Sequence, residues 1–213
     1  MLVLGFDTAT PAVSAALHDG ARIVGSALTV DARRQGELLA PMIEKVMADA
    51  GVDRAGLTAV AVGVGPGPYT GLRVGLVTAR VLGSVLGIPV HGVCTLDIIA
   101  AEAAPGREFL VATDARRKEV YWARYDAAGH RVEGPLVGPA ADIPGARELP
   151  VAGAGGALYP AAFGELLGPE HPDARTLCEL VAYNPAEPMP PEPLYLRRPD
   201  AREPGAPKRV TPP

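Results

Sequence analysis

The sequence has few of the residues that catalytic and metal-binding sites commonly use. Only two of its 213 residues are cysteine, Cys94 and Cys178, so a disulfide framework and a four-cysteine zinc site are both excluded. Its three serines, Ser14, Ser26 and Ser84, lie outside any G-x-S-x-G turn, and no G-x-x-x-x-G-K-[ST] loop occurs. The four histidines form no i, i+4 pair, which argues against a zinc site on a helix.

Positive charge and long apolar runs are also scarce. The 20 lysines and arginines are outnumbered by 24 aspartates and glutamates, and the formal net charge is -4. Such a chain is a poor candidate for holding a phosphate backbone by itself, because that needs a basic surface that releases counterions. Glycine or a charged residue interrupts each apolar run early, so we expect no membrane span. The N-terminus has no basic leader region, and we expect a cytoplasmic protein.

Hydrophobic periodicity predicts an α/β protein of two lobes. The first lobe, residues 1–104, has the predicted order β-β-β-α-β-α-β-α. Its predicted elements are residues 2–6, 13–18, 22–30, 37–50, 57–64, 72–86, 90–93 and 96–103. A strand, an aspartate, a turn and a second strand recur at 109–126, which leaves an internal duplication and a chance likeness of two hairpins as alternatives.

The second lobe, residues 105–198, has weaker patterns. Strands are predicted near 131–137 and 148–152, and helices at 157–167 and 175–183. Ten of the 23 prolines fall in the last 30 residues. Residues 199–213 therefore form a proline-rich tail, and we expect this end of the chain to be an extended strap or a loose segment.

Two features of the first lobe are candidates for binding an anion. Asp7 ends the first strand and Asp114 has the same place in the second lobe, so each either faces a phosphate or hydrated cation or accepts hydrogen bonds from turn amides. The loop at residues 65–71 precedes a helix N-terminus, which favours anions, but Pro66 and Pro68 remove two donors. The residues predicted to face an anion or nucleotide are Asp7, Thr8, Gly67, Thr70 and Gly71.

Small residues recur at every fourth position along the second predicted helix. They are Gly71, Gly75, Ala79, Gly83 and Gly87. This spacing puts a ridge of very small side chains along one face of the helix. An interior glycine costs roughly 1 kcal/mol relative to alanine, so the ridge indicates that another element approaches closely. That element is either this chain's own sheet or first helix, or a helix of another subunit.

Residues 65–75 carry a family resemblance. They read G-P-G-P-Y-T-G-L-R-V-G, which resembles the hallmark G-P-G-S-[FY]-T-G-L-R-[IV]-G of the TsaB family of bacterial tRNA threonylcarbamoyladenosine biosynthesis. Further similar segments follow in the family's order at residues 4–10, 37–43, 114–121 and 195–197. Gln35 and Gly36 stand where the family commonly has His-Ser, and Pro68 stands where it has Ser. A role that needs those polar groups is therefore not carried over.

The resemblance implies a two-lobed fold of the actin/Hsp70/sugar-kinase type and a non-catalytic role. TsaB is similar to TsaD, which transfers the threonylcarbamoyl group, but this chain lacks the paired-histidine metal motif of that enzyme. The resemblance implies pairing with TsaD through the first two helices, binding of the ATPase TsaE to the pair, and supply of threonylcarbamoyl-adenylate by TsaC. It implies contact with tRNA only through the complex and no cofactor, and it leaves a monomer and a homodimer as alternatives for the isolated chain. The predicted partner face is Leu39, Met42, Ile43, Val46, Arg73, Val74, Gly75, Thr78 and Ala79.

Two other functions stand as alternatives. One is a nucleotide-dependent phosphotransferase or ATPase of the same superfamily, which would use Asp7 and Asp114 around a phosphate and residues 153–156 as a second-lobe loop. The other is a peptidase, which the missing nucleophile and metal ligands disfavour. Arg116, Arg117 and Lys118 either touch tRNA or form a solvated hairpin, and the acidic net charge favours the hairpin.

Overall fold

Two β-sheets with helices packed on them form the chain in the computed structural model, which describes residues 1–183 and 189–197. The strands of the first sheet are β1 (Val3–Asp7), β2 (Ala12–His18), β3 (Ile23–Val30), β4 (Ala59–Gly63) and β5 (Val90–Val93). They are ordered β3-β2-β1-β4-β5, with β1 and β2 antiparallel, β2 and β3 antiparallel, and β4 parallel to both β1 and β5. Strands β1, β2 and β4 are buried along their whole length, which explains their almost continuous apolar sequence.

Helices cover both faces of this first sheet. The five helices of the chain's described part are α1 (Gln35–Asp49), α2 (Tyr69–Leu86), α3 (Thr95–Ala103), α4 (Ala154–Leu158) and α5 (Ala174–Tyr183). Helices α1 and α2 share one core with the side chains of β1, β2 and β4, and α5 packs on the opposite face together with Ile98 of α3. Helix α2 ends at Leu86 and is capped by Gly87, whose φ of 67° is the left-handed conformation that glycine adopts without steric cost.

The second sheet repeats the topology of the first. Its strands are β6 (Phe109–Asp114), β7 (Val120–Tyr125), β8 (Arg131–Gly138) and β9 (Val151–Ala152), in the order β8-β7-β6-β9. Strands β6 and β7 are antiparallel, β7 and β8 are antiparallel, and β6 and β9 are parallel, as β1, β2, β3 and β4 are. A single 3-10 turn (Ala140–Asp142) lies between β8 and β9, at the position that α1 has between β3 and β4 in the first lobe. The predicted two-lobed fold with a reduced second lobe is confirmed.

The helix predicted at residues 157–167 is wrong. Helix α4 begins at Ala154 and ends at Leu158, and Pro160 follows, which has no N–H to continue a helix. Beyond it the chain runs beside β9, where Val151 N donates to Glu165 O and Leu167 N donates to Val151 O. Pairing with β9 therefore replaces helix in the second half of that segment.

The C-terminal part of the chain returns to the first lobe. Helix α5, which follows the second sheet in sequence, packs on β1 and β2 through Leu177 and Cys178. Residues 189–197 then form a strap, in which Met189 pairs with Gly92 of β5 and Leu194 N donates to Val64 O. The boundary predicted at residues 104 and 105 falls between α3 and β6 and stays a prediction. The tail predicted at 199–213 lies outside the described residues.

Candidate functional site

Asp7, the first candidate for facing an anion, lies inside the first lobe. It is fully buried at the end of β1, and burial raises the pKa of its carboxyl to about 6. Its Oδ1 accepts a hydrogen bond from Ala9 N at 2.7 Å, and its Oδ2 accepts one from Thr95 Oγ1 at 2.7 Å. Both carboxylate oxygens therefore bond to the protein itself, and they join the end of β1 to the start of α3.

Thr8 ties the β1–β2 turn to α2. Its hydroxyl donates to Gly71 O at 2.7 Å and accepts from Gly75 N at 3.0 Å. A Cβ added at Gly67 would lie 2.0 Å from Ala9 O, so this glycine also sits against the turn. Of the five predicted anion-facing residues, only Thr70 is exposed. An anion-facing role for them stays a prediction, and the geometry favours a structural role for the other four.

The ridge of small residues packs on the chain's own first lobe. A Cβ at Gly71 would lie 2.5 Å from Thr8 O, and one at Gly75 would lie 2.7 Å from Thr8 Oγ1. Farther along α2, a Cβ at Gly83 would lie 2.4 Å from Val90 Cγ2 of β5. Of the two alternatives for the ridge, the structure shows packing on the chain's own first lobe, because the ridge lets α2 approach the sheet and its turns closely.

Most of the predicted partner face is occupied by this same packing. Six of the nine residues are buried in the first lobe and so face the chain's own core: Leu39, Met42, Ile43, Val46, Gly75 and Ala79. Arg73 is exposed, and Val74 and Thr78 are partly exposed. Only these three of the predicted residues lie where a second protein can touch them. The surface of these helices that is open to other molecules is their outer side.

The outer side of α2 carries a stripe of exposed valines. Val77, Val81 and Val85 are 59%, 55% and 77% exposed, and we call these three residues the valine stripe. They recur at four-residue spacing and are offset by two positions from the glycine ridge, which puts them on the opposite face of the helix. Together with Arg80 and Ser84 they line an open concavity of about 470 Å³. The spacing was readable in the sequence, but only the position of the sheet tells which face is outward.

An aromatic and cationic cluster lies at the N-terminal end of this outer face. The rings of Tyr69 and Tyr195 stack with centroids 5.4 Å apart, and the guanidinium carbon of Arg73 lies 3.7 Å from the centre of the Tyr69 ring. Arg73 Nε donates to Tyr195 Oη at 2.9 Å. Arg73 and Val77 are four residues apart, so the cluster and the valine stripe form one continuous surface on α2.

Two residues of the second-lobe candidates, Asp114 and Ala154, lie at a cleft between the lobes. Asp114, at the end of β6, lines the cleft, whereas Asp7 does not. Asp114 Oδ1 accepts from Arg116 N at 2.7 Å, and its Oδ2 lies 3.3 Å from the Arg116 guanidinium. Arg116, Arg117 and Lys118 are exposed and turn the β6–β7 hairpin with φ values of 61°, 56° and 63°. Asp7 and Asp114 therefore do not line the same cleft.

Neither thiol is suited to nucleophilic chemistry. Cys94 and Cys178 are both fully buried, and burial raises the pKa of each to about 12. Residues 1–183 and 189–197 contain no group of three or more His, Cys, Asp or Glu side chains placed to hold a metal ion. Across that same part of the chain, every helix is too short or too polar to cross a membrane.

Several known proteins are similar to this chain in sequence or in structure. A family model described as "TsaD: tRNA N6-adenosine threonylcarbamoyltransferase" matches residues 28–158. An uncharacterized protein of Mycobacterium tuberculosis is 48% identical over 204 residues, which cover 94% of this chain and 93% of that protein. The tRNA threonylcarbamoyladenosine biosynthesis protein TsaB of Escherichia coli is 36% identical over 129 residues, 59% of this chain and 55% of that protein. The structure of YeaZ from Pseudomonas aeruginosa is 30% identical, with a TM-score of 0.77, and the match covers 92% of this chain and 99% of that chain.

Proposed function

The chain belongs to the TsaB family, whose members are also called YeaZ, and we propose that it acts in tRNA threonylcarbamoyladenosine biosynthesis as a non-catalytic partner subunit. In this proposal it pairs with a TsaD-type transferase, and a TsaE-type ATPase joins the pair. A TsaC-type enzyme supplies the activated threonylcarbamoyl group, and tRNA is contacted only through the complex. Such a role puts the chain in the cytoplasm.

The observation that carries the proposal is the valine stripe on α2. Large apolar side chains that cluster on the solvent-exposed surface commonly mark the site where another protein docks. The Tyr69–Arg73–Tyr195 cluster adds tyrosine and arginine, which are enriched among the residues that dominate binding energy at interfaces. We therefore propose that TsaD docks on the outer side of α2, with Arg73, Val74 and Thr78 retained from the predicted face.

The state of the reactive groups supports a non-catalytic role. The buried Asp7 carboxylate bonds to Ala9 and Thr95, and the two thiols are buried with raised pKa values. A phosphotransferase would need acidic groups that reach the same bound phosphate, but Asp7 lies within the first lobe while Asp114 lines the cleft. No observation favours that second function, so we do not propose it.

The docking face is tested by placing a charge in the valine stripe. We expect Val81→Glu to abolish co-purification with TsaD, because a carboxylate would be desolvated at the centre of the interface. Val132→Glu is the matched control, since Val132 is 57% exposed but lies on β8 of the second lobe. If Val81→Glu pairs with TsaD as the unmodified chain does, the valine stripe is not the docking face.

The non-catalytic role is tested separately, by a transfer assay. TsaD, TsaE and TsaC are supplied with tRNA, with and without this chain, and the modified adenosine is measured. We expect product only when both TsaD and this chain are present. Transfer by this chain and TsaC, without TsaD, would contradict the proposal.

The same face predicts how the chain assembles without TsaD. Two copies that meet through α2 would cover each other's valine stripe, so a homodimer and the TsaD pair would exclude each other. Sedimentation should show that Val81→Glu is monomeric and that added TsaD dissociates the homodimer of the unmodified chain. A homodimer that survives both changes would mean that copies pair through another surface.

A further inference from the structure

A cleft of about 370 Å³ lies between the two lobes, away from the valine stripe. Most of its lining is apolar and comes from both lobes: Ala9, Pro11, Val30, Ala154, Ala157 and Leu158. Val30 and Leu158 are 56% and 52% exposed. A ligand in the cleft would therefore bury apolar surface that the protein alone leaves open.

Two residues of the cleft lining each have a buried polar atom that lacks a partner among the described residues. Thr113 is 4% exposed, and its hydroxyl makes no hydrogen bond with the described residues. His171 Nδ1 is likewise buried without a partner there. Buried polar groups are nearly always hydrogen-bonded, so two unpaired atoms in the lining of one cavity point to a missing partner. Burial lowers the pKa of His171, which favours the neutral ring, and its Nδ1 can then accept a hydrogen bond, as Thr113 Oγ1 can.

The charge of the cleft selects the sign of that partner. Asp114 and Glu170 line it, and none of the described residues that line it is a lysine or an arginine. Arg116 lies against Asp114, but within the described part of the chain Glu170 makes no ion pair. Carboxylates with low-dielectric walls attract a cation and repel a phosphate or carboxylate.

We propose that the cleft between the lobes binds a small organic cation, an amine with an apolar body. The body packs between Val30 and Leu158. Thr113 Oγ1 and His171 Nδ1 are covered in the free chain, so both side chains turn toward the ligand when its ammonium group donates hydrogen bonds to these two atoms. Glu170 supplies the balancing charge. This site is separate from the docking face proposed on α2. The result of the amine-binding experiment therefore does not depend on the result of the TsaD co-purification experiment.

Phenethylamine is a suitable probe, because phenylacetate and phenethyl alcohol carry a similar body with an anionic and a neutral head. We expect calorimetric titration of the full chain to show saturable binding of phenethylamine, with phenylacetate at least roughly tenfold weaker. The alcohol should lie between them. Absence of saturable phenethylamine binding up to about 10 mM, or equal binding of phenylacetate, overturns the proposal. Tight binding of ATP with magnesium in the cleft would also overturn it, in favour of a nucleotide site.

Thr113→Val separates a binding role from a structural one. Valine has nearly the shape of threonine and removes the unpaired hydroxyl, so we expect a higher Tm for the free chain. Phenethylamine affinity should fall by about tenfold, because a charge-assisted hydrogen bond is lost. Glu170→Gln should weaken phenethylamine but not the alcohol. An unchanged affinity in Thr113→Val would show that the hydroxyl does not face the ligand.

Filling the cleft gives a second test that does not depend on Thr113. Ala157 is exposed at the cleft wall, so Ala157→Phe should leave the fold intact and block phenethylamine. The matched control is Ala48→Phe, at an exposed alanine of α1 outside the cleft. If both variants bind the amine as the unmodified chain does, the amine occupies another site.

Discussion

At the scale of single residues, buried polar groups hold the turns of the first lobe to its helices. Asp7 and Thr8 follow one another at the end of β1. Together they form hydrogen bonds with Ala9, Thr95 and two of the ridge residues, Gly71 and Gly75. A residue pattern that suggested an anion site thus serves to satisfy backbone and hydroxyl groups inside the protein. The sequence analysis left both roles open for Asp7, because a carboxylate at a strand end is suited to either.

The raised pKa of Asp7 predicts how stability changes with pH. The folded-state pKa of about 6 lies above the ordinary value of 3.8, so the contribution of this group to stability is fully present below about pH 4 and is lost as the pH rises through 6. The shift corresponds to about 3 kcal/mol in the free energy of unfolding. Asp7→Asn cannot ionise, so urea unfolding should show that its stability relative to the unmodified chain improves between about pH 4 and pH 7.

The control for this pH dependence is an exposed aspartate. Asp142→Asn, on the surface of the second lobe, should keep the pH dependence of the unmodified chain. Were the two free-energy curves of Asp7→Asn and the unmodified chain parallel over this range, ionisation of Asp7 would not be coupled to folding.

At the scale of elements, α2 has one face that packs on the sheet and one face that is exposed to solvent. Its ridge packs on Thr8, β4 and β5, and its valine stripe faces outward. The interior glycines reduce helix propensity, and the close approach to the sheet compensates for that loss. A helix that is apolar on both faces is difficult to orient from its sequence, because neither face is marked as the solvent side.

Gly71→Ala tests the close approach of α2. The added Cβ would lie 2.5 Å from the backbone oxygen of Thr8, which cannot rotate away. We expect the free energy of unfolding to fall by roughly 1–3 kcal/mol through overpacking, despite the better helix propensity of alanine. Ser84→Ala, at an exposed site of the same helix, should be neutral or slightly stabilising. Equal unfolding midpoints for both variants would contradict the packing argument.

Local sequence patterns predicted most elements and few of their contacts. The apolar positions of α1 recur with helical spacing, and the helix lies at residues 35–49 where 37–50 was predicted. The helix predicted at 157–167 was wrong because Glu165 and Leu167 form backbone hydrogen bonds with Val151 of β9. Helical periodicity does not reveal such a pairing, even though the two segments are close in sequence. Six residues of the predicted partner face lie against the chain's own core, since an apolar helix position reveals burial and not which protein buries it, and the partner face itself stays a prediction.

At the scale of the whole molecule, three segments of the described part of the chain join the two lobes. Helix α3 contributes Ile98 to the core of the first sheet and Leu96 and Ile99 to that of the second. Helix α5 returns to the first sheet, and Met189 and Leu194 of the strap contact the cores of both lobes. These contacts are between residues far apart in sequence, which is why the sequence could suggest two lobes but not how they are joined. Because both cores share side chains of the same elements, the lobes should unfold together.

Ile99→Ala tests that coupling, and the single tryptophan provides the means. Ile99 is fully buried against the second sheet, so truncation should lower the free energy of unfolding by about 2–5 kcal/mol. Trp122 lies on β7, so its fluorescence reports the second lobe, whereas far-UV circular dichroism reports both lobes. We expect the midpoints of both signals to shift together in urea. The control variant Val132→Ala, at an exposed site of β8, should leave both midpoints unchanged.

A fluorescence transition that moves to lower urea while part of the dichroism signal keeps its original midpoint would mean that each lobe folds by itself. The proposed docking face on α2 would then belong to a first lobe that is stable without the second, and the cleft would depend on how the two independent lobes associate.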